Sequence, residues 1–155
     1  MNIYLLSTCV LACHLAAIAA IDFRRHIIPN ALNISLALCG FTVSVFMFDR
    51  SPVRTMIESG ATLAGLIAIS WIYHSVRGRI GIGAGDIKLL GAAAIWVGAA
   101  GIPWIILIAS ISGLLFAAAT SISGKDMTGE TRIAFGPHLS MGLMLVWLLR
   151  DVIGG

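Results

Sequence analysis

Apolar residues run along this chain in blocks of roughly 17 to 20, about the length an α-helix needs to cross the ~30 Å hydrocarbon core of a bilayer. Short polar stretches between the blocks hold almost all of the charge. Backbone groups in lipid must be satisfied internally, so each block is expected to be a helix. Six spans are predicted, at 3–21, 31–48, 60–76, 87–100, 103–122 and 133–149. The fold class is therefore all-α: one membrane-embedded domain over 1–155, a bundle of about six transmembrane helices. The first span lacks a basic leader and a clear small-residue cleavage site, so a removable signal peptide is not expected. Small residues stand four apart at Ala12, Ala16 and Ala20, at Ala61 and Gly65, and at Ala94 and Gly98. That spacing lets helices approach closely where no hydrophobic drive exists between them. For any single pair, an ordinary alanine-rich span is an equal reading.

Composition strengthens the membrane reading. Of 155 residues, 59% are hydrophobic and only 11% charged, with a mean hydropathy of +0.99. Basic residues set the orientation. With the N-terminus outside, the inner side holds Arg24, Arg25, Arg77, Arg79, Lys88, Lys125 and Arg132, and the outer side only Arg50, Arg54 and Arg150. Both termini are thus expected outside. This bias accounts for the net charge of +3 and gives no reason to invoke nucleic acid. Cys9, Cys13 and Cys39 fall within spans, match no zinc or redox spacing and are expected to be buried, free thiols.

Five of the seven acids, Asp49, Glu58, Asp126, Glu130 and Asp151, fall in predicted loops or at the terminus, where solvated surface is the default. Asp22 and Asp86 differ. Asp22 ends the first span and Asp86 opens the fourth, so both carboxylates lie at the cytoplasmic edge. Asp86 sits in "GIGAGDIKLLG", where Gly81, Gly83 and Gly85 supply permissive dihedrals and walls without side chains. From Asp86 to the breakers Gly101 and Pro103 there is room for only about 15 residues, or ~21 to 23 Å of helix, short of the hydrocarbon thickness. The glycines can therefore carry Asp86 into a wet cleft below the interface. Taken singly, Asp86 serves equally as an N-cap and Asp22 as a partner for Arg24 or Arg25. Acids at membrane depth are costly, however, and are usually functional.

Two carboxylates sharing a site cannot both ionise cheaply, so a proton is held between them. One can take a proton from water while the other gives one to a carbonyl oxygen, which is hydrolysis without a covalent intermediate. Each aspartate's own helix dipole suggests Asp86 as resting base and Asp22 as resting acid.

At this point the motifs resemble a known family. "GAGDIK" (83–88) is similar to the G-x-G-D motif of membrane aspartyl proteases. "DFRRHIIPN" (22–30) resembles the D-x5-[IV]-P-N motif of prepilin peptidases. "AFGPHLSMG" (134–142) resembles the F-G-P start of that family's last helix. The resemblance implies a type IV prepilin peptidase with Asp22 and Asp86 as the catalytic pair, cutting at the inner membrane's cytoplasmic face. The implied partners are prepilin or pseudopilin precursor peptides and the lipid bilayer; the oligomeric state is not fixed. Larger members carry a cytoplasmic segment with paired C-x-x-C motifs and methylate the new N-terminus; this chain shows neither, so methyl transfer is expected to be absent. The compact form is similar to peptidases of Flp/Tad pilus systems, with archaeal preflagellin peptidases close by.

Supporting residues follow from the motifs. Pro29 is expected in the first turn of the second helix, beside Asn30, with Ile27 and Ile28 pressing the loop on the bundle. Lys88 either acts on the carboxylate pair or snorkels to headgroups. Pro137 is expected to start the sixth helix, with Gly83, Gly85 and Gly136 admitting close neighbours. His26, His74, His138 and His14 lack acidic or cysteine neighbours at ligand spacing, so neither metal nor cofactor is expected. The resemblance implies precursors with a short polar leader followed by an apolar helix; the polar loop 123–132 reads as a connector, or as a gate touching that leader through Asp126 and Glu130. Rival readings are a proton- or cation-coupled transporter and a non-catalytic pilus-assembly subunit.

Overall fold

Four of the predicted spans form helices long and apolar enough to cross a membrane, and two form shorter helices packed among them. The structure, a computed structural model, describes residues 3–79, 81–122 and 134–150. Among these residues the chain is six α-helices without a strand: α1 (Ile3–Arg25), α2 (Asn30–Thr42), α3 (Pro52–Arg77), α4 (Ala84–Val97), α5 (Ile102–Ile122) and α6 (Gly136–Leu148). A π-helical turn, Val43–Met47, extends α2, and a 3-10 turn, Ala99–Gly101, joins α4 to α5. The outward surface is apolar, with Phe46, Trp71, Val76 and Leu114 all exposed. So large a continuous apolar surface is stable only against lipid. The chain is a multi-pass membrane protein.

The centre of the bundle is α4. Residues 89–96 are buried on every side by α2, α3 and α6. Its 14 residues span about 21 Å, less than a bilayer core. Because protein surrounds it, α4 has no lipid gap to bridge. Close helix approach occurs where a glycine faces a large side chain. A Cβ on Gly40 would land within the Trp96 indole, and one on Gly91 would stand 2.5 Å from Leu63. The Trp96 Nε1–H in turn donates to the Leu36 carbonyl at 3.0 Å, tying α4 to α2. The Ala61 and Gly65 pair plays no such part: Ala61 is exposed, and among the described residues nothing lies within 4 Å of a Cβ at Gly65.

The far end, where the N-terminus lies, is held by rings and charges. Trp147 stacks on Tyr4 at 5.9 Å and meets Phe48 and Trp96 edge-on. The Arg150 guanidinium lies over the Tyr4, Phe48 and Trp147 rings at 4.7, 4.1 and 4.1 Å. Cation–π geometry of this kind needs distances below about 6 Å.

Three expectations are corrected. α3 begins at Pro52, not at 60, because Ser51 caps it through the Arg54 N–H and proline suits the first turn. Glu58 therefore lies inside a helix rather than in a solvated loop. It pairs with Arg50 at 2.8 Å and Arg54 at 2.7 Å and accepts from the Ala99 N–H at 3.3 Å. Cys9 and Cys13 are exposed on the outer face of α1, and only Cys39 is half-buried. At its other end α3 outruns the bundle: residues 71–79 are all exposed.

The glycine contacts generate a paired test. Gly40→Ala should lower the thermal unfolding midpoint in detergent, by overpacking worth about 1–3 kcal/mol. Gly65→Ala, with open space around it, should leave the midpoint unchanged or raise it through helix propensity worth about 0.5–1 kcal/mol. Equal midpoints for the two variants would show that the Gly40–Trp96 contact does not hold α2 against α4.

Candidate active site

Buried residues on α1 recur as Ser7, Leu11, Leu15, Ile18 and Asp22. That is one helical stripe at steps of three and four. Asp22 continues the apolar face and so points into the bundle, where it is only 6% exposed. The helix runs through Asp22 to Arg25 rather than stopping at 21, and His26 closes it with a left-handed φ of 54°. The His26 N–H donates to the Asp22 carbonyl at 2.8 Å.

The Asp22 side chain meets the start of α6. The first N–H groups of a helix have no partner within it, and the Gly136 N–H donates to Asp22 Oδ2 at 2.8 Å. Only glycine allows this approach, since a Cβ at 136 would stand 2.7 Å from the same oxygen. Pro137 follows in the first turn of α6. Among the described residues Asp22 has no arginine within ion-pair distance, so its partner is a helix terminus and not Arg24 or Arg25.

Asp86 arrives from the opposite direction. Gly83 is the N-cap of α4, in extended backbone, and Asp86 sits three residues on, in the first turn. Its carboxylate turns back to the Gly83 backbone N–H, the return half of a capping box. Asp86 is thus not the N-cap. Gly85 packs on Ile28, where an added Cβ would lie at 3.3 Å, which seats the chain before α2 against the start of α4.

Both carboxylates line one cleft of about 880 Å³, together with Ile28, Asn30, Lys88 and Phe135. They are close enough for the charge of one to act on the other. The N-termini of α4 and α6 both point into the cleft and bring positive helix-dipole ends to it. The structure therefore brings together the C-terminal end of α1 and the N-terminal ends of α2, α4 and α6.

The supporting residues divide. Pro29 is the N-cap of α2, one position before the predicted first turn, with φ −63° and ψ 131°; proline restricts φ to that range. Ile28 packs inward as expected, but Ile27 is 56% exposed, a correction set by the turn after His26. Lys88 Nζ donates to Asn30 Oδ1 at 3.0 Å, bridging α4 and α2. His138 packs against Phe116 and Phe135 and bonds Ser112 at 2.9 Å. Among the described residues no three His, Cys, Asp or Glu side chains gather to hold a metal. Loop 123–132, with Asp126 and Glu130, lies outside the described residues. The sequence reading missed Asn33, buried one turn after Asn30. Its signal was the N-x-x-N spacing, which puts two carboxamides on one helix face.

Residues 9–118 match the type IV leader peptidase family. A Xanthomonas campestris pv. campestris protein named prepilin leader peptidase/N-methyltransferase is 30% identical over 147 residues, 94% of this chain and 51% of its own length. Proteins of the same name from Burkholderia pseudomallei and Escherichia coli are 33% and 30% identical, covering 83% and 86% of this chain and 41% and 58% of themselves. The chain thus spans about half the length of the curated relatives it matches. No solved structure matches it. With its two aspartates in one cleft and its sequence matched over most of its length, the chain belongs to the type IV leader peptidase family.

Proposed function

We propose that this protein is a membrane-embedded aspartyl endopeptidase that removes the leader from type IV pilin-like (prepilin) precursors at the cytoplasmic membrane face. The observation that carries this reading is the meeting of Asp22 and Asp86, from opposite ends of two helices, in one cleft at the head of the bundle. Family membership supports the substrate class. The basic residues support the topology: Arg24, Arg25, Arg77, Arg79 and Lys88 stand at the cleft end, Arg50, Arg54 and Arg150 at the other. The cleft then faces the cytoplasm and both termini lie outside.

Asp22 is the resting base. Its Oδ2 accepts the Gly136 N–H at the start of α6, and both the bond and the helix dipole favour a carboxylate there. The division expected from each aspartate's own helix is the reverse; it omits this second helix, which comes from far along the chain. Asp86 has a backbone N–H of its own at Gly83 and the α4 dipole, but its burial and the facing charge of Asp22 outweigh them, so it holds the shared proton. Water attacks the scissile carbonyl carbon and gives its proton to Asp22, while Asp86 gives its proton to the carbonyl oxygen. The tetrahedral diol then collapses: the C–N bond breaks, the amine takes the proton from Asp22, and a diol hydroxyl returns one to Asp86. The scissile peptide must be extended to lie between the two carboxylates, so the precursor's apolar helix has to unwind beside the cleft.

Purified protein in detergent, incubated with a synthetic precursor and followed by gel shift, tests the reading. Asp22→Asn and Asp86→Asn should each lower turnover at least about 100-fold, the usual share of a general acid or base. Cleavage at near wild-type rate by either variant would overturn the dyad. A second measurement separates chemistry from folding. Asp22→Ala leaves the Gly136 N–H buried without an acceptor and should cost about 1–3 kcal/mol of stability, whereas Asp22→Asn keeps an acceptor oxygen and should unfold like the wild type. Gly136→Ala should reduce kcat on the order of 100-fold by displacing Asp22, with KM little changed; an unaffected kcat would show that this bond does not position the base.

A further inference from the structure

A second, smaller cavity of about 350 Å³ opens beside the aspartate cleft, between α2, α3 and α4. Its walls are mostly apolar, formed by Ile34, Ala37, Leu63 and Ile95. The Ser59 hydroxyl in the same wall is already committed to the Gly91 carbonyl at 2.9 Å. Asn33 is not. Its side chain is buried, with the residue 6% exposed, and among the described residues neither Oδ1 nor Nδ2 has a hydrogen-bond partner. An unsatisfied buried carboxamide costs about 1–3 kcal/mol, so its place in a cavity wall points to a ligand that completes it. The cavity and the aspartate cleft share two lining residues, Asn30 and Lys88, which are joined by the 3.0 Å hydrogen bond across their boundary.

The chemistry of the ligand follows from the walls and the amide. A carboxamide offers an acceptor and two donors in one plane, the complement of the C=O and N–H of an extended peptide. Apolar walls and the outward-facing Ile34, 59% exposed, suit a chain arriving from lipid rather than a charged solute. An apolar helix that unwinds to reach the aspartates frees peptide groups where no water is available to satisfy them. We infer that this cavity is the subsite for the first unwound residues of the substrate's apolar segment, with Asn33 pairing one of their peptide groups. The Lys88–Asn30 bridge is the threshold between this subsite and the cleft. The inference rests on the peptidase reading and adds the place where the substrate is held.

The test uses the full chain in detergent and two synthetic peptides, one with polar leader and complete apolar segment, the other with the apolar segment removed. Asn33→Leu should raise KM for the long peptide roughly tenfold, the loss expected from one good hydrogen-bonded pair. The kcat should stay within about twofold, and the short peptide should be cut as before. Leucine removes the buried orphan, so the unfolding midpoint should hold or rise; if the variant does not fold, Asn33→Ala carries the same comparison. Unchanged kinetics on the long peptide, or equal losses on both peptides, would overturn the subsite. A binding arm keeps the two readings apart: fluorescence anisotropy of the labelled long peptide on Asp86→Asn, with and without Asn33→Leu. If wild-type protein cuts neither peptide, the peptidase reading fails and binding alone decides. Roughly tenfold weaker binding with Asn33→Leu then supports the subsite, and equal binding, or none to either protein, refutes it.

Discussion

The hydrogen bond from the Gly136 N–H to Asp22 Oδ2 joins residues 114 apart in sequence and fixes where everything else at the cleft can be. It holds the last turn of α1 against the first turn of α6. It leaves no room for a side chain at 136 and gives a buried carboxylate its partner without using a cation. A backbone N–H orients the carboxyl group without bringing a side-chain cation into the cleft. Asp86 then needs only to be brought opposite, and the glycine at 83 and the packing of Gly85 on Ile28 do that from the other direction.

Around this contact the bundle inverts the usual order of a soluble protein. Apolar side chains are outside as well as inside, so burial of hydrocarbon cannot rank one arrangement of helices above another. Specificity has to come from shape and from polar contacts. Glycines at 40, 91 and 142 accept bulk from neighbouring helices. The Trp96 and Trp147 N–H groups find acceptors at Leu36 and Thr8. Ser44 and Ser59 donate to carbonyls of α4. Each contact binds a specific pair of helices, and most of them converge on α4.

Much of this was legible in the sequence because the strongest signals were long ones. Apolar runs set the number and order of the helices, and the steps of three and four from Ser7 to Asp22 already aim that aspartate inward. Positions that depend on a single contact were not legible. The start of α3 turned on reading Ser51-Pro52 as a cap, and missing it made Glu58 look like loop. The small residues that matter are known only from what faces them: Gly65 and Gly40 look alike in the sequence, and only one has a tryptophan opposite. The electrostatic setting of Asp22 depends on a helix that begins more than a hundred residues later, and no local pattern around Asp22 announces it.

The overhang of α3 carries a further consequence. At 26 residues the helix measures about 39 Å, well beyond the hydrocarbon slab, and it is fastened near its base by Glu58 and Ser59. Its projecting tip bears Trp71, Tyr73 and Arg77, with Arg79 just beyond its end, the aromatic and basic residue types that settle among lipid headgroups. A tip of this composition suits the polar layer of a bilayer, at the same end of the bundle as the two acids, so the length of α3 bears on the depth at which their cleft opens.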